Sequence, residues 1–174
     1  LGFGRVLAPV MAVADFKNGE WSDLEIIPYG PISMQPTSKV LHYGQEIFEG
    51  LKAYRIGGKG PFLFRPDQNA KRFNFSARRM AMPDVPEDIF VEGIKEFTKL
   101  CTNIIPRRSG ESLYLRPFMF STEEALGIKP SESFKFMIVA SPSGSYFSGG
   151  TISVLIERGA VRACPGGTGN AKTG

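Results

Sequence analysis

The chain has 174 residues and a formal net charge of +4, with a pI near 9.1, and is long enough to bury one sizeable core. It holds no apolar run of about 18 residues and no leading basic-then-apolar segment, so neither a membrane span nor a secretory leader is expected, and the chain reads as soluble and cytoplasmic. Its basic residues come as short pairs such as Arg78-Arg79 and Arg107-Arg108, solvated faces that argue against nucleic-acid binding.

Two distant cysteines and the lone His42 cannot supply a zinc site, and Cys101 and Cys164 read as buried reduced thiols. Residues 9–16 and 20–27 are apolar-rich and flank Asn18-Gly19, a dipeptide suited to a tight turn, so the first element is a β-hairpin. A second strand pair is predicted at 51–56 and 62–64, joined through Gly57-Gly58-Lys59-Gly60. The period then changes. Pro66 fits the first turn of a helix, and Ala70, Phe73, Ala77 and Met80 recur at spacings of three and four. A second helix is predicted from Pro86-Glu87-Asp88, with Ile89, Ile94, Phe97 and Cys101 inward. Strands follow at 112–120 and 134–141, the latter too continuously apolar for a surface strand. This order reads as α+β, a mostly antiparallel sheet with segregated helices. Residues 142–150 turn to Ser, Gly and Pro around Tyr146-Phe147 and read as a linker. The predicted division is a domain at 1–141, that linker, and the start of a second domain at 151–174.

The chain closes on Gly166-Gly167-Thr168-Gly169-Asn170-Ala171-Lys172-Thr173-Gly174. A lysine in such a glycine loop can hold a nucleotide phosphate, form a Schiff base with an aldehyde, or point into solvent. The loop nearly matches G-x-x-x-x-G-K-[ST], but Ala171 replaces the glycine beside the lysine. The context also fails. Arg162-Ala163-Cys164-Pro165 intervenes after the apolar run 152–156, where a nucleotide loop should leave a strand directly.

Several segments converge on one family: Leu41-His42-Tyr43, Phe48-Glu49-Gly50-Leu51-Lys52-Ala53, Leu63-Phe64-Arg65-Pro66 leading to Arg72, and Leu113-Tyr114-Leu115-Arg116-Pro117. Ala125-Leu126-Gly127-Ile128, Tyr146-Phe147-Ser148-Gly149-Gly150 and the run from Val161 to Lys172 complete the set. With them the chain resembles the branched-chain amino-acid aminotransferases, pyridoxal 5'-phosphate enzymes of fold type IV. The resemblance implies a two-domain α+β subunit, of which the small N-terminal domain and the start of the large C-terminal domain are present. It also implies ping-pong transamination between leucine, isoleucine or valine and 2-oxoglutarate. D-amino-acid aminotransferases and aminodeoxychorismate lyases share the fold and remain alternatives, as, from another class, does a nucleotide-binding module.

Carried over residue by residue, the resemblance makes Lys172 the cofactor-bonding and proton-shuttling lysine, and assigns the cofactor phosphate to Arg72 and Arg162. Tyr43, Tyr114 and Arg116 become the polar side of the substrate site, and Phe3, Phe48 and Tyr146 its apolar wall. Tyr114 and Arg116 are two apart, so on a strand they share a face. The family's homodimer would bring Ile128 to the partner's substrate in trans. His42 carries no catalytic role.

Overall fold

The computed structural model describes residues 2–144 and 151–174. The opening segment forms β1 (Val10–Lys17), β2 (Glu20–Trp21) and β3 (Glu25–Pro28). Asn18 and Gly19 both take positive φ, at 54° and 85°, the geometry that a two-residue hairpin turn requires. A short helix α1 (Val40–Tyr43) ends on left-handed Gly44 and leads to β4 (Glu46–Phe48). Then come β5 (Leu51–Ile56) and β6 (Lys59–Leu63), followed by α2 (Pro66–Arg79). A π-helical turn at Asp88–Glu92 runs into α3 (Gly93–Leu100), and β7 (Ser112–Ser121) and β8 (Phe134–Ser143) finish the regular structure.

The strands join in one antiparallel sheet of order β2-β1-β8-β7-β5-β6, with β3 paired to β1 and β4 to β7. Its spine is the ten-residue β7–β8 pair, in register from Ser112↔Ser143 to Ser121↔Phe134. Side-chain alternation then divides the sheet. Leu113, Leu115 and Met119 of β7 face the helices with Phe134, Phe136 and Ile138 of β8, against Phe73 of α2 and Ile94 and Phe97 of α3. Phe73, Phe90 and Phe136 interlock with ring centroids 5.3 to 5.8 Å apart. The opposite face carries Tyr114 and Arg116, with a smaller cluster of Met11, Phe120 and Met137.

The predicted α+β order holds, with local differences. β6 starts at Lys59 instead of 62, because Gly57 and Gly58 alone make the turn, at φ 57° and 76°. The β8 strand runs through Ser143, two residues into the expected linker, since Ser112 and Leu113 pair with Ser143 and Pro142. Cys101 is buried, which pushes its thiol up to about 11, but Cys164 is exposed. It lies in the stretch 151–174, which carries no helix or strand and exposes Val154, Leu155 and Ile156. Among the described residues no helix is long and apolar enough to cross a membrane, and no group of three metal-ligating side chains occurs.

Candidate active site

The terminal loop is brought back onto the sheet beside β4. The Phe48 amide donates to the Lys172 carbonyl at 3.0 Å, and the Lys172 amide donates to Ser76 Oγ at 2.9 Å. Thr173 Oγ1 donates to the Glu46 carbonyl at 2.7 Å. Upstream, Arg79 at the end of α2 donates from Nη2 to the carbonyls of Gly166 (3.0 Å) and Gly167 (2.9 Å), and Gly166 takes φ 79°. Lys172 is thus half-buried and fixed at its backbone, with its amine at the end of a flexible stem. That amine lies 4.7 Å from the centroid of the Phe48 ring.

Arg116 reaches the same ring. Its guanidinium carbon stands 4.6 Å from the Phe48 centroid, and Nη2 donates to Tyr114 Oη at 3.1 Å. Phe3 meets Tyr114 edge to face at 4.8 Å. A recess of about 160 Å³ lies here, lined by Phe3, Leu7, Tyr114, Arg116, Val139 and Ser141. Larger surface hollows of about 410 and 550 Å³, bordered by Lys17, Glu123 and Ser133, contain none of the predicted residues.

Arg72 connects to this group through α2. Ser76 Oγ, which takes the Lys172 amide, donates onward to the Arg72 carbonyl at 3.0 Å. The Arg72 side chain forks onto Glu49 through Nε and Nη2, which raises its already high pKa. Glu49 is fully buried, and its Oε2 also takes Asn69 Nδ2 at 2.8 Å and the Gly50 amide at 3.1 Å. The side chain of Arg72 is 56% exposed, so its outer N–H groups remain open to an anion.

Phe3, Phe48, Tyr114, Arg116 and Lys172 therefore form one constellation, with Arg72 tied to it by Ser76. Tyr43 stands elsewhere: its hydroxyl donates to the Leu126 carbonyl at 2.6 Å, placing it with the loop that carries Ile128, which is 92% exposed. Arg162 is exposed in the coil before the glycine loop, and Tyr146 lies outside the described residues. Sequence reasoning passed over Glu49 and Ser76. Parity was the available signal for Glu49, since Ile47, Leu51 and Ala53 share its phase and all are buried.

A lysine from the terminal glycine loop against an aromatic face, and a half-buried arginine beside the same ring, define the candidate site. No model of a known protein family matches the chain, but individual proteins match it closely. It is 47% identical, over 99% of its length, to a branched-chain-amino-acid aminotransferase of Mycolicibacterium smegmatis, covering 48% of that protein. Against a branched-chain-amino-acid transaminase 1 of Bacillus subtilis it is 45% identical over the same share, covering 50%. Among solved structures, the T.th. branched-chain amino acid aminotransferase with pyridoxamine 5'-phosphate superposes with a TM-score of 0.57 at 32% identity, over 79% of this chain and 42% of that one. The Escherichia coli enzyme gives 0.56 at 26%, over 76% and 41%. Curated relatives at 45–47% identity over 99% of this chain are branched-chain-amino-acid aminotransferases, and the chain has the fold type IV architecture in part. It spans about half the length of the curated relatives it matches.

Proposed function

We propose that the protein is a branched-chain amino-acid aminotransferase, exchanging the amino group between leucine, isoleucine or valine and 2-oxoglutarate, with pyridoxal 5'-phosphate as cofactor. The observation that carries this is the meeting of Lys172, Phe48, Arg116 and Tyr114 on one sheet face. The donor set fits the cofactor: a primary amine for its aldehyde carbon, an Arg72 edge open to its phosphate, and a glycine loop that lets a flat ligand approach backbone. When bound, pyridoxal phosphate supplies the electron sink for the exchange.

The residues divide the remaining work. Lys172 holds the cofactor and then moves the proton at the substrate Cα, a task open to an amine that can become neutral and closed to arginine. Arg72 and Arg162 take the phosphate, Arg72 pre-set by Glu49. Arg116, steadied by the Tyr114 hydroxyl, offers a rim charge to the second carboxylate of glutamate while the apolar substrate lies against Phe48, Phe3 and Tyr146. Tyr43 and Ile128, on one loop system, complete the pocket from the partner of a homodimer. The solved structure of the T.th. enzyme with N-(5'-phosphopyridoxyl)-L-glutamate supports a glutamate substrate. Both cysteines are free thiols, in keeping with a cytoplasmic location. The domain division at 1–141, 142–150 and 151–174 is part of this reading, supported by the loss of regular structure after Ser143 among the described residues.

The test is covalent. Incubation with pyridoxal phosphate and then borohydride should leave the pyridoxyl group on Lys172, located by peptide mass spectrometry, and Lys172→Ala should abolish both the adduct and turnover. Wild-type labelling of the Lys172→Ala protein would refute the assignment.

A further inference from the structure

Lys39 is 1% exposed, one of the largest fully buried side chains in the molecule, and no task in the site above falls to it. Removing an ammonium from water is costly, so its surroundings must answer for it. Its Nζ stands 3.1 Å from Glu123 Oε1 and donates to the Lys129 carbonyl at 3.1 Å. Its amide donates to the Glu123 carbonyl at 3.0 Å. One residue therefore grips both ends of the loop 123–129.

The middle and the outside of the loop are tied as well. Tyr43, at the end of the helix that Lys39 begins, donates to the Leu126 carbonyl, and a bridge joins Ser38 to Glu124. Glu123 Oε2 accepts the Glu132 amide at 2.7 Å, while Lys129 Nζ pairs with Glu132 at 2.6 Å and approaches Glu123 at 3.7 Å. Yet the loop adds little to the core. Leu126 is 58% exposed and Ile128 92%. A buried ion pair is a poor source of net stability compared with apolar packing of the same volume, whereas it defines geometry well. Here it defines the geometry of a loop that presents an isoleucine to water, an arrangement that makes sense where something else covers the isoleucine.

We propose that Lys39 is a positioning residue, which clamps 123–129 in the shape that delivers Ile128 to the substrate recess of a second copy of this chain. The delivery rests on the homodimer reading above, while the clamp itself stands on the contacts within one chain.

Amide hydrogen exchange on the intact protein tests the clamp without reference to activity. Lys39→Met keeps the stem and removes the charge, and Lys39→Met/Glu123→Gln also removes the carboxylate charge left behind, so the second variant separates loss of the anchor from the cost of an unpaired ion. In both, the amides of Lys39, Lys129 and Glu132, which are hydrogen-bonded within or to the loop, should exchange about tenfold faster or more, while those of Leu115 and Ile138 in the central strands stay close to the parent. Branched-chain turnover should fall chiefly through a raised KM. Unchanged exchange at Lys39, Lys129 and Glu132 in the double variant overturns the clamp, as does an equal rise over the whole sheet, which would make Lys39 a residue of general stability. Ile128→Asp reports on delivery: it should keep parental exchange at the Lys39 and Glu132 amides, whose bonds lie within one chain, but lose dimer affinity and turnover. Parental dimerisation and turnover in that variant would overturn delivery and the homodimer reading, with the exchange result for Lys39 still standing.

Discussion

Gly50 to alanine adds one methyl group at the hinge between β4 and β5, and its effect follows from where that methyl must go. Gly50 is not among the glycines at positive φ, so the backbone itself accepts alanine. Space does not. A Cβ on Gly50 would overlap the Tyr114 hydroxyl and lie 3.0 Å from Cζ and 3.2 Å from Cε2. Ordinary carbon contacts begin near 3.5 Å, so the ring must withdraw by at least about half an ångström, and the hydroxyl by more. It is held on the other side by Phe3 at 4.8 Å and by the Arg116 guanidinium at 3.1 Å.

Overpacking of this kind costs about 1–3 kcal/mol. Displacing the half-buried Arg116–Tyr114 hydrogen bond, partly screened by solvent, adds about 1 kcal/mol. The sum, roughly 2–4 kcal/mol, lowers Tm by about 4–16 °C at about 2–4 °C per kcal/mol for a chain of this size. Calorimetry on Gly50→Ala measures it. Tyr114→Phe in the same background deletes the overlapping oxygen and should recover about half of the loss, because Cζ remains close. An unchanged midpoint for Gly50→Ala would refute the reasoning, as would simple additivity of the two substitutions.

Arg116→Ala should lower glutamate and 2-oxoglutarate turnover more than leucine turnover, measured as separate half-reactions; equal losses would show that Arg116 does not read the second carboxylate. Arg72→Ala should weaken pyridoxal phosphate retention by about 1.5–3 kcal/mol, roughly 10- to 150-fold in Kd, and undiminished retention on dialysis would count against it. Burial pushes the Glu123 carboxyl up, but the Glu132 amide and the Lys39 and Lys129 ammonium groups outweigh it and hold the carboxyl below its ordinary value. With the folded pKa below the unfolded one, its stabilisation is complete above the ordinary glutamate value of about 4.3 and fades as pH falls through the lowered pKa. The ratio of observed to intrinsic exchange at the Lys39 and Glu132 amides should accordingly rise as pH falls through the lowered Glu123 value and stay flat above about 4.3, and Glu123→Gln should remove that step.

What was legible in the sequence had either a long period or a diagnostic turn. Ala70, Phe73 and Ala77 marked α2, and all three are buried. Asn18-Gly19 marked the first hairpin. The elements that escaped, α1 and β4, have four and three residues, too few to display a period. Their order comes from tertiary bonds, the Lys39 amide to the Glu123 carbonyl and the Phe48 amide to the Lys172 carbonyl. The same reason hid Glu49 and Ser76. Apart from its parity with Ile47, Leu51 and Ala53, nothing local marks Glu49 as buried, because its partner Arg72 arrives from an element 23 residues away. Motif matching brought Tyr43 and Tyr114 into one site. Within one chain they stand apart, since β7 projects Tyr114 toward Arg116 and α1 turns Tyr43 to the loop at Leu126.

The Phe48 ring joins the two halves of the proposed chemistry. Expected as an apolar wall for aliphatic side chains, it instead meets two cations, Arg116 at 4.6 Å and Lys172 at 4.7 Å from its centroid. A cation on a phenyl face gains about 0.5–1 kcal/mol at an exposed site and about 2 kcal/mol when desolvated. That is weak enough to yield to a covalent bond if Lys172 holds the cofactor as proposed, and strong enough to restrain the stem otherwise. Once Lys172 is engaged elsewhere, the face it leaves is hydrocarbon-like, and a branched side chain can take its place. Arg116 differs, because Tyr114 also holds it and Gly50 keeps Tyr114 in place. In the proposed reaction its charge would stay at the rim when the lysine leaves, so one ring would serve an aliphatic substrate and a dicarboxylate in turn without moving Arg116 or Tyr114.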